Sequence, residues 1–181
     1  MRISWVGEPT DKDAKQTMLA WEEHRPDGVE LFRHIDPSAD VIVFHNPEAM
    51  NWSDASLVMR QRFGRKTVFC VHGYLDFENP AVAKRADRVC DSAGLLLFWS
   101  SPHDAAFRLV YPNVKTLGRW VPIIADTDYM RKKTKRRRKK KESPYFTDPY
   151  EMRLDKTKYK KALKESAARF WAVISGFAAR N

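Results

Sequence analysis

The sequence predicts an α/β protein: a parallel sheet of about six strands flanked by helices, then a basic linker and a C-terminal amphipathic helix. Three observations carry that prediction. Short runs such as Val41-Ile-Val-Phe44, Thr67-Val-Phe-Cys-Val71 and Leu95-Leu-Leu-Phe-Trp99 are almost wholly apolar, as strands buried on both faces must be. Between them lie longer mixed segments with helix-start chemistry, and strands separated by helices pair in parallel. Near the C-terminus, apolar side chains recur at steps of three and four, the period of one helix face.

Ile3 to Val6 reads as the first strand and ends at Gly7-Glu-Pro-Thr10. Asp11 or Asp13 caps a helix through about Glu23, with Met18, Leu19 and Trp21 on it, and Pro26-Asp-Gly28 stops it. Val29 to Arg33 is a second strand and Val41 to Phe44 a third. A helix across Ser53 to Phe63 follows, capped by Ser53 or Asp54. Thr67 to Val71 is the fourth strand, Pro80 to Val89 a helix, and Leu95 to Trp99 the fifth strand. Ser100-Ser-Pro-His-Asp104 starts a helix to Val110: a serine cap, proline in the first turn and an acid near the positive end of the dipole. Val114 to Val121 is a sixth strand or extended segment. The last helix runs from about Asp155 to Ala179. Its stripe is Tyr159, Leu163, Ala167, Phe170, Ile174 and Phe177, with Lys158, Lys161, Lys164 and Arg169 off it, which suits docking onto the domain.

These elements divide the chain into a sheet domain (1–130), a basic and turn-rich linker (131–152) and a terminal helix (153–181). An apolar share of 43% with 12% aromatic residues is enough for a packed core. Cys70 and Cys90 lie in apolar segments without a CxxC spacing, which reads as two reduced core thiols and favours a cytoplasmic setting. No apolar run approaches the roughly 20 residues that span a bilayer, and Met1 to Gly7 has no signal-peptide apolar core.

Charge is concentrated in one place. The chain has 33 Lys and Arg against 23 Asp and Glu, and ten of the cations are Arg131, Lys132, Lys133, Lys135, Arg136, Arg137, Arg138, Lys139, Lys140 and Lys141. Without them the body is balanced. Such a run needs water or a polyanion, so nucleic acid or another polyanion is the expected partner, with a solvated linker as the plain alternative and a nuclear-import signal as another use of the same residues. Tyr145, Phe146 and Tyr150 beside the run suit stacking on bases, or anchoring of the linker.

In a parallel sheet the ligand crevice lies at the carboxyl ends of the strands. Those ends carry Gly7-Glu8, His45-Asn46, His72-Gly73 and Ser100-Ser101. His72 is the candidate catalytic residue, as a base or hydrogen-bond donor; capping a turn is the plain alternative. His103-Asp104 reads as helix-start chemistry, and Asp76 and Glu78 as a solvated loop. The five histidines show no i,i+4 spacing with acidic companions, so the spacing predicts no metal site. No P-loop, GxGxxG or GxSxG is present. Trp99 and Trp120, within expected strands, read as core, although they and Trp52 are also of the type that stacks on sugars.

Two stretches bear a family resemblance. Asp40-Val-Ile-Val-Phe-His-Asn-Pro47, then Lys66-Thr-Val-Phe-Cys-Val-His-Gly-Tyr74, resembles the N-terminal domain of retaining GT-B glycosyltransferases of the glycogen-synthase-like type. Ala93 to Ser101, a short helix and Val114 to Asp126 continue the likeness, which covers about residues 1–130. The resemblance implies a Rossmann-like acceptor-binding half. It gives His72-Gly73 the place facing the reaction centre and Gly7 the loop that approaches donor phosphates. Two departures matter. The family's usual glycine pair is Gly-Glu-Pro here, which sets the Glu8 carboxylate against a diphosphate. The second, donor-holding domain has no counterpart among the 55 residues after Asp126. The expectation is therefore a partner-dependent sugar transferase with no resident cofactor, a nucleotide-sugar as donor, and another chain supplying the donor domain. The alternative is a non-catalytic, nucleic-acid-binding component of a nucleoprotein assembly that uses the 131–141 run.

Overall fold

In a computed structural model, residues 1–73, 75–124 and 156–180 are described. The elements run β1 (Arg2–Val6), α1 (Lys12–Glu23), β2 (Glu30–Phe32), β3 (Val41–Phe44), a 3₁₀ turn (Pro47–Ala49), α2 (Trp52–Val58), α3 (Gln61–Gly64) and β4 (Thr67–Val71). They continue with α4 (Pro80–Ala83), α5 (Ala86–Ser92), β5 (Leu95–Phe98), α6 (Ser101–Val110), β6 (Gly118–Trp120) and α7 (Lys156–Ala178). The strands form a six-stranded sheet in the order β2-β1-β3-β4-β5-β6, every pair parallel. This is the expected Rossmann-like α/β architecture. Its topological switch point lies between β1 and β3, where the chain stops building toward one edge and starts toward the other.

Pleating sorts the side chains onto two faces. Ile42, Phe44, Phe69, Val71, Leu96 and Phe98 pack with Ala55, Val58, Val82, Val89, Cys90 and Phe107 from the helices α2 and α4–α6. Ile3, Trp5, Val41, Val43, Val68, Cys70, Leu95 and Leu97 pack with Met18 and Trp21 of α1 and with Ala167, Phe170, Trp171, Ile174 and Phe177 of α7. The terminal helix is thus half of one core layer. Trp21 stacks on Phe170 at 4.2 Å between ring centroids, and its indole N–H donates to Ser166 at 2.9 Å. The Trp171 indole donates to the Trp21 carbonyl at 2.7 Å, and the Ser166 hydroxyl donates to the Pro122 carbonyl at 2.7 Å. The Trp21 and Trp171 indoles of this joint thus each have a partner, as buried indoles usually do, whereas the Trp5 indole has none among the described residues.

Several boundaries differ from expectation for identifiable reasons. Asp11 caps α1, accepting from the backbone N–H of Asp13 and Ala14 at 3.0 Å. For α2 the cap is Asn51, which accepts from Asp54 at 2.9 Å, and not Ser53 or Asp54. The expected Pro80–Val89 helix is two, broken where Arg85 leaves the helical region. Val114 to Val121 pairs only over β6, because the Arg108 guanidinium takes the carbonyls of Val114 and Thr116 at 2.6 and 2.7 Å. Trp99 and Trp120 are not core residues: they are 41% and 51% exposed. Trp99 lies one residue beyond β5, and Trp120 sits on an edge strand with a neighbour on one side only. The basic run 131–141, the rest of the 131–152 linker, Tyr145, Phe146 and Tyr150 lie outside the described residues. Among the described residues no helix is long and apolar enough to cross a membrane.

Candidate functional site

The carboxyl edge of the sheet gathers the polar strand ends. Gly7 follows β1 with φ +77, and an added Cβ would stand 3.3 Å from the Asn46 backbone nitrogen. Glycine is therefore favoured there by its conformation, and the approach of the two loops at the switch point leaves a side chain only a tight fit. Glu8 is paired with Lys15 at 2.5 Å, which holds its carboxyl below the usual range. Asn46, with its amide nitrogen toward Glu48, donates to both carboxylate oxygens at 3.0 and 3.1 Å. Burial raises the Glu48 carboxyl.

His45 follows β3 two residues after Val43, so it turns toward the α1 and α7 face. It is wholly buried, its ring 4.1 Å from Trp5 and 6.2 Å from Trp21. Neither ring nitrogen has a hydrogen-bond partner among the described residues. Burial drives its pKa well below the ordinary histidine value. The Phe44↔Phe69 register puts Cys70 beside it, and His72 stands two residues further on the same face. The ligating atoms of His45, Cys70 and His72 all lie within 4.8 Å of one another.

His72 is partly buried, yet its Nε2 is shut off from solvent without a partner among the described residues. Burial lowers its pKa to about 4, with Asp11 opposing and His103 assisting. An imidazole of that pKa is neutral at pH 7 and a weak general base, since proton transfer favours groups that titrate near the working pH. As a hydrogen-bonding or ligating group it has no such handicap. Burial also raises the Cys70 thiol, and lifts Cys90 to about 12; both thiols are free.

The outer part of the edge is more open. His103 Nε2 lies 3.0 Å from the Gly73 carbonyl, so that nitrogen carries the proton and Nδ1, buried and unpartnered among the described residues, is left as an acceptor. Ser100 spends its hydroxyl capping α6, accepting from the His103 N–H at 3.3 Å, while Ser101 is exposed in the first turn. Asp104 is turned from His103 to Arg108 at 3.0 Å and to the Trp120 indole at 3.3 Å, as a helix-start acid and not a dyad partner. Asp76 and Glu78 are exposed. Trp99 presents its ring at the same edge, braced edge-on by His103 at 4.9 Å.

The fold therefore joins His45, His72, Gly73, Ser100 and Ser101 along one edge and sets Gly7 and Asn46 at the switch point. Two participants were not expected. Trp99 was assigned to the core, and its position just past an apolar run was the available sign that it leaves the sheet. Cys70 was read as a core thiol alone. Its Cys-x-His spacing puts both side chains on one face of a strand, but only the register with β3 brings in His45. Comparison of the chain with family models, with curated proteins and with solved structures gave no match.

Proposed function

We propose that the chain is the acceptor-binding half of a GT-B-like sugar transferase, holding an uncharged sugar at the carboxyl edge of its sheet while a second unit holds the nucleotide-sugar donor. The observation that carries this reading is the exposed Trp99 ring beside the Gly73 loop at the head of α6. A tryptophan fixed in place but open to solvent is a stacking platform for the C–H face of a sugar ring. Beside it lie the exposed Ser101 hydroxyl and the Gly73 loop, neutral groups that suit hydroxyls. The nearby Asp104 carboxylate is bound to Arg108. Simple saccharides and nucleotide-sugars titrated into the purified chain should quench tryptophan fluorescence. Trp99→Ala should weaken the binding about five-fold or more, the equivalent of roughly 1 kcal/mol of stacking. Absence of binding at millimolar saccharide and donor would overturn the proposal.

A second reading is favoured by the concentration of ten cations in residues 131–141 on an otherwise balanced chain. There the protein grips a nucleic-acid backbone. The affinity should fall with salt at a log–log slope approaching about −7 for single strands or about −9 for duplex, and the dependence should vanish when the ten residues are made neutral. Salt-indifferent binding would exclude it.

A further inference from the structure

We propose that His45, Cys70 and His72 form a zinc site beneath the carboxyl edge of the sheet. Two imidazoles and a thiol are the donor set that zinc takes, three protein ligands leaving a fourth position for water or another ligand. Cys70 lies on β4, and His45 and His72 each lie one residue past the ends of the paired strands β3 and β4. Their ligating atoms lie within 4.8 Å of one another. Tetrahedral zinc, with bonds of about 2.0–2.3 Å, sets its donors about 3.3–3.7 Å apart. The cluster needs to contract by roughly an ångström to hold the ion.

Buried polar atoms point the same way. Among the described residues, fully buried His45 has no partner for either nitrogen, and His72 Nε2 is in the same condition. Buried polar groups almost always have partners, and a metal would satisfy two of these three imidazole nitrogens, one on each ring. The surroundings fit. Trp5, Trp21, Phe170 and Trp171 wall the His45 side with aromatic rings, which keeps water from competing for the metal. His72, partly exposed at the edge, is the side from which an ion arrives. A zinc ion with one thiolate leaves one unit of positive charge. The Asp11 carboxylate acts on His72 and the half-buried Glu48 on Cys70, and both would offset that charge. A redox role for Cys70 is disfavoured, because a buried, protonated thiol with no second cysteine beside it is inert.

Loading exchanges a proton for the metal. The Cys70 S–H bond breaks, the sulfur forms its bond to zinc, and the proton leaves to solvent. Both imidazoles are already neutral and bind through lone pairs. About one proton should therefore be released per zinc at pH 7. This site stands independently of sugar binding at Trp99.

The test uses the full chain, stripped with a chelator and then titrated with zinc or cobalt alone. The expected results are one metal per chain, about one proton released, and a thiolate-to-cobalt charge-transfer band. Cys70→Ser should remove the band and lower affinity at least about 100-fold, while Cys90→Ser should leave both unchanged. His72→Gln, at the edge of the sheet, gives a second variant if Cys70→Ser fails to fold; it should lower affinity by a similar factor. No stoichiometric metal, a metal bound without a thiolate band, or a band that follows Cys90 would each overturn the site.

Discussion

Phe170→Ala is expected to remove about 3–5 kcal/mol of folding stability, the range for an aromatic truncated in a closed core. Phe170 is fully buried, lies flat on Trp21 at 4.2 Å and meets Trp5 and Trp171 edge-on at 5.7 and 5.1 Å. Three indoles would then border one void, and none can collapse into it without leaving its own hydrogen bond or neighbour. For a chain of this length the loss corresponds to about 6–20 °C in Tm. Denaturant unfolding of the variant beside the parent measures it. Glu165→Ala on the outer face of the same helix is the control. Its carboxylate meets Lys161 at 3.9 Å with both side chains well exposed, so the change should stay within about 0.5 kcal/mol. A Phe170→Ala effect as small as the control's would mean that α7 does not close this core.

The second large effect is loss of stability in mild acid, measured with chelator present. Burial depresses the folded-state pKa of both His45 and His72 below the usual 6.5, His72 to about 4. Below about pH 6.5 the unfolded chain therefore binds protons that the folded chain refuses, and stability falls as pH falls. It is fully present above that pH. The His72 contribution runs out near pH 4 and amounts to about 3 kcal/mol, with His45 adding in the same direction. Asp36 and Glu8, whose carboxyls are lowered by Ser38 and Lys15, weaken the fold only at lower pH. Glu48, raised by burial, acts in the opposite sense. Denaturation midpoints between pH 7.5 and 4.5 should slope downward, and His72→Gln should flatten the slope. Equal midpoints across that window would show that neither ring resists protonation.

Much of this arrangement follows from local pattern. The runs at Val41, Thr67 and Leu95 are buried on both faces because a parallel sheet covered by helices leaves no solvated side. Asp11 and Ser100 cap helices because their side chains satisfy amide groups that no helix turn reaches. The stripe on α7 docks as its period requires. What local pattern does not contain is register. Spacing along one strand shows that Cys70 and His72 share a face, but nothing in either segment says that His45 stands opposite. An i,i+4 spacing reports ligands on one helix, whereas these residues lie on and just past the ends of two strands. Exposure of Trp99 and Trp120 was hidden for a similar reason, since hydrophobicity tells how much a residue gains from burial and not whether a neighbour exists to bury it.

The position of α7 has a consequence for how the chain comes into being. Its partners on the sheet are all made first, with β6 ending at Trp120 and the helix not completed until Ala178. At ribosomal rates of about 5–20 residues per second, the second core face is without its cover for roughly 3–12 s in each round of synthesis. During that interval the nascent sheet offers the ribosome's surroundings Trp5, Trp21 and Val43 in place of a finished surface. A chaperone that holds apolar strands, or a slowing of translation between residues 120 and 178, would act on this interval and leave the mature protein unchanged.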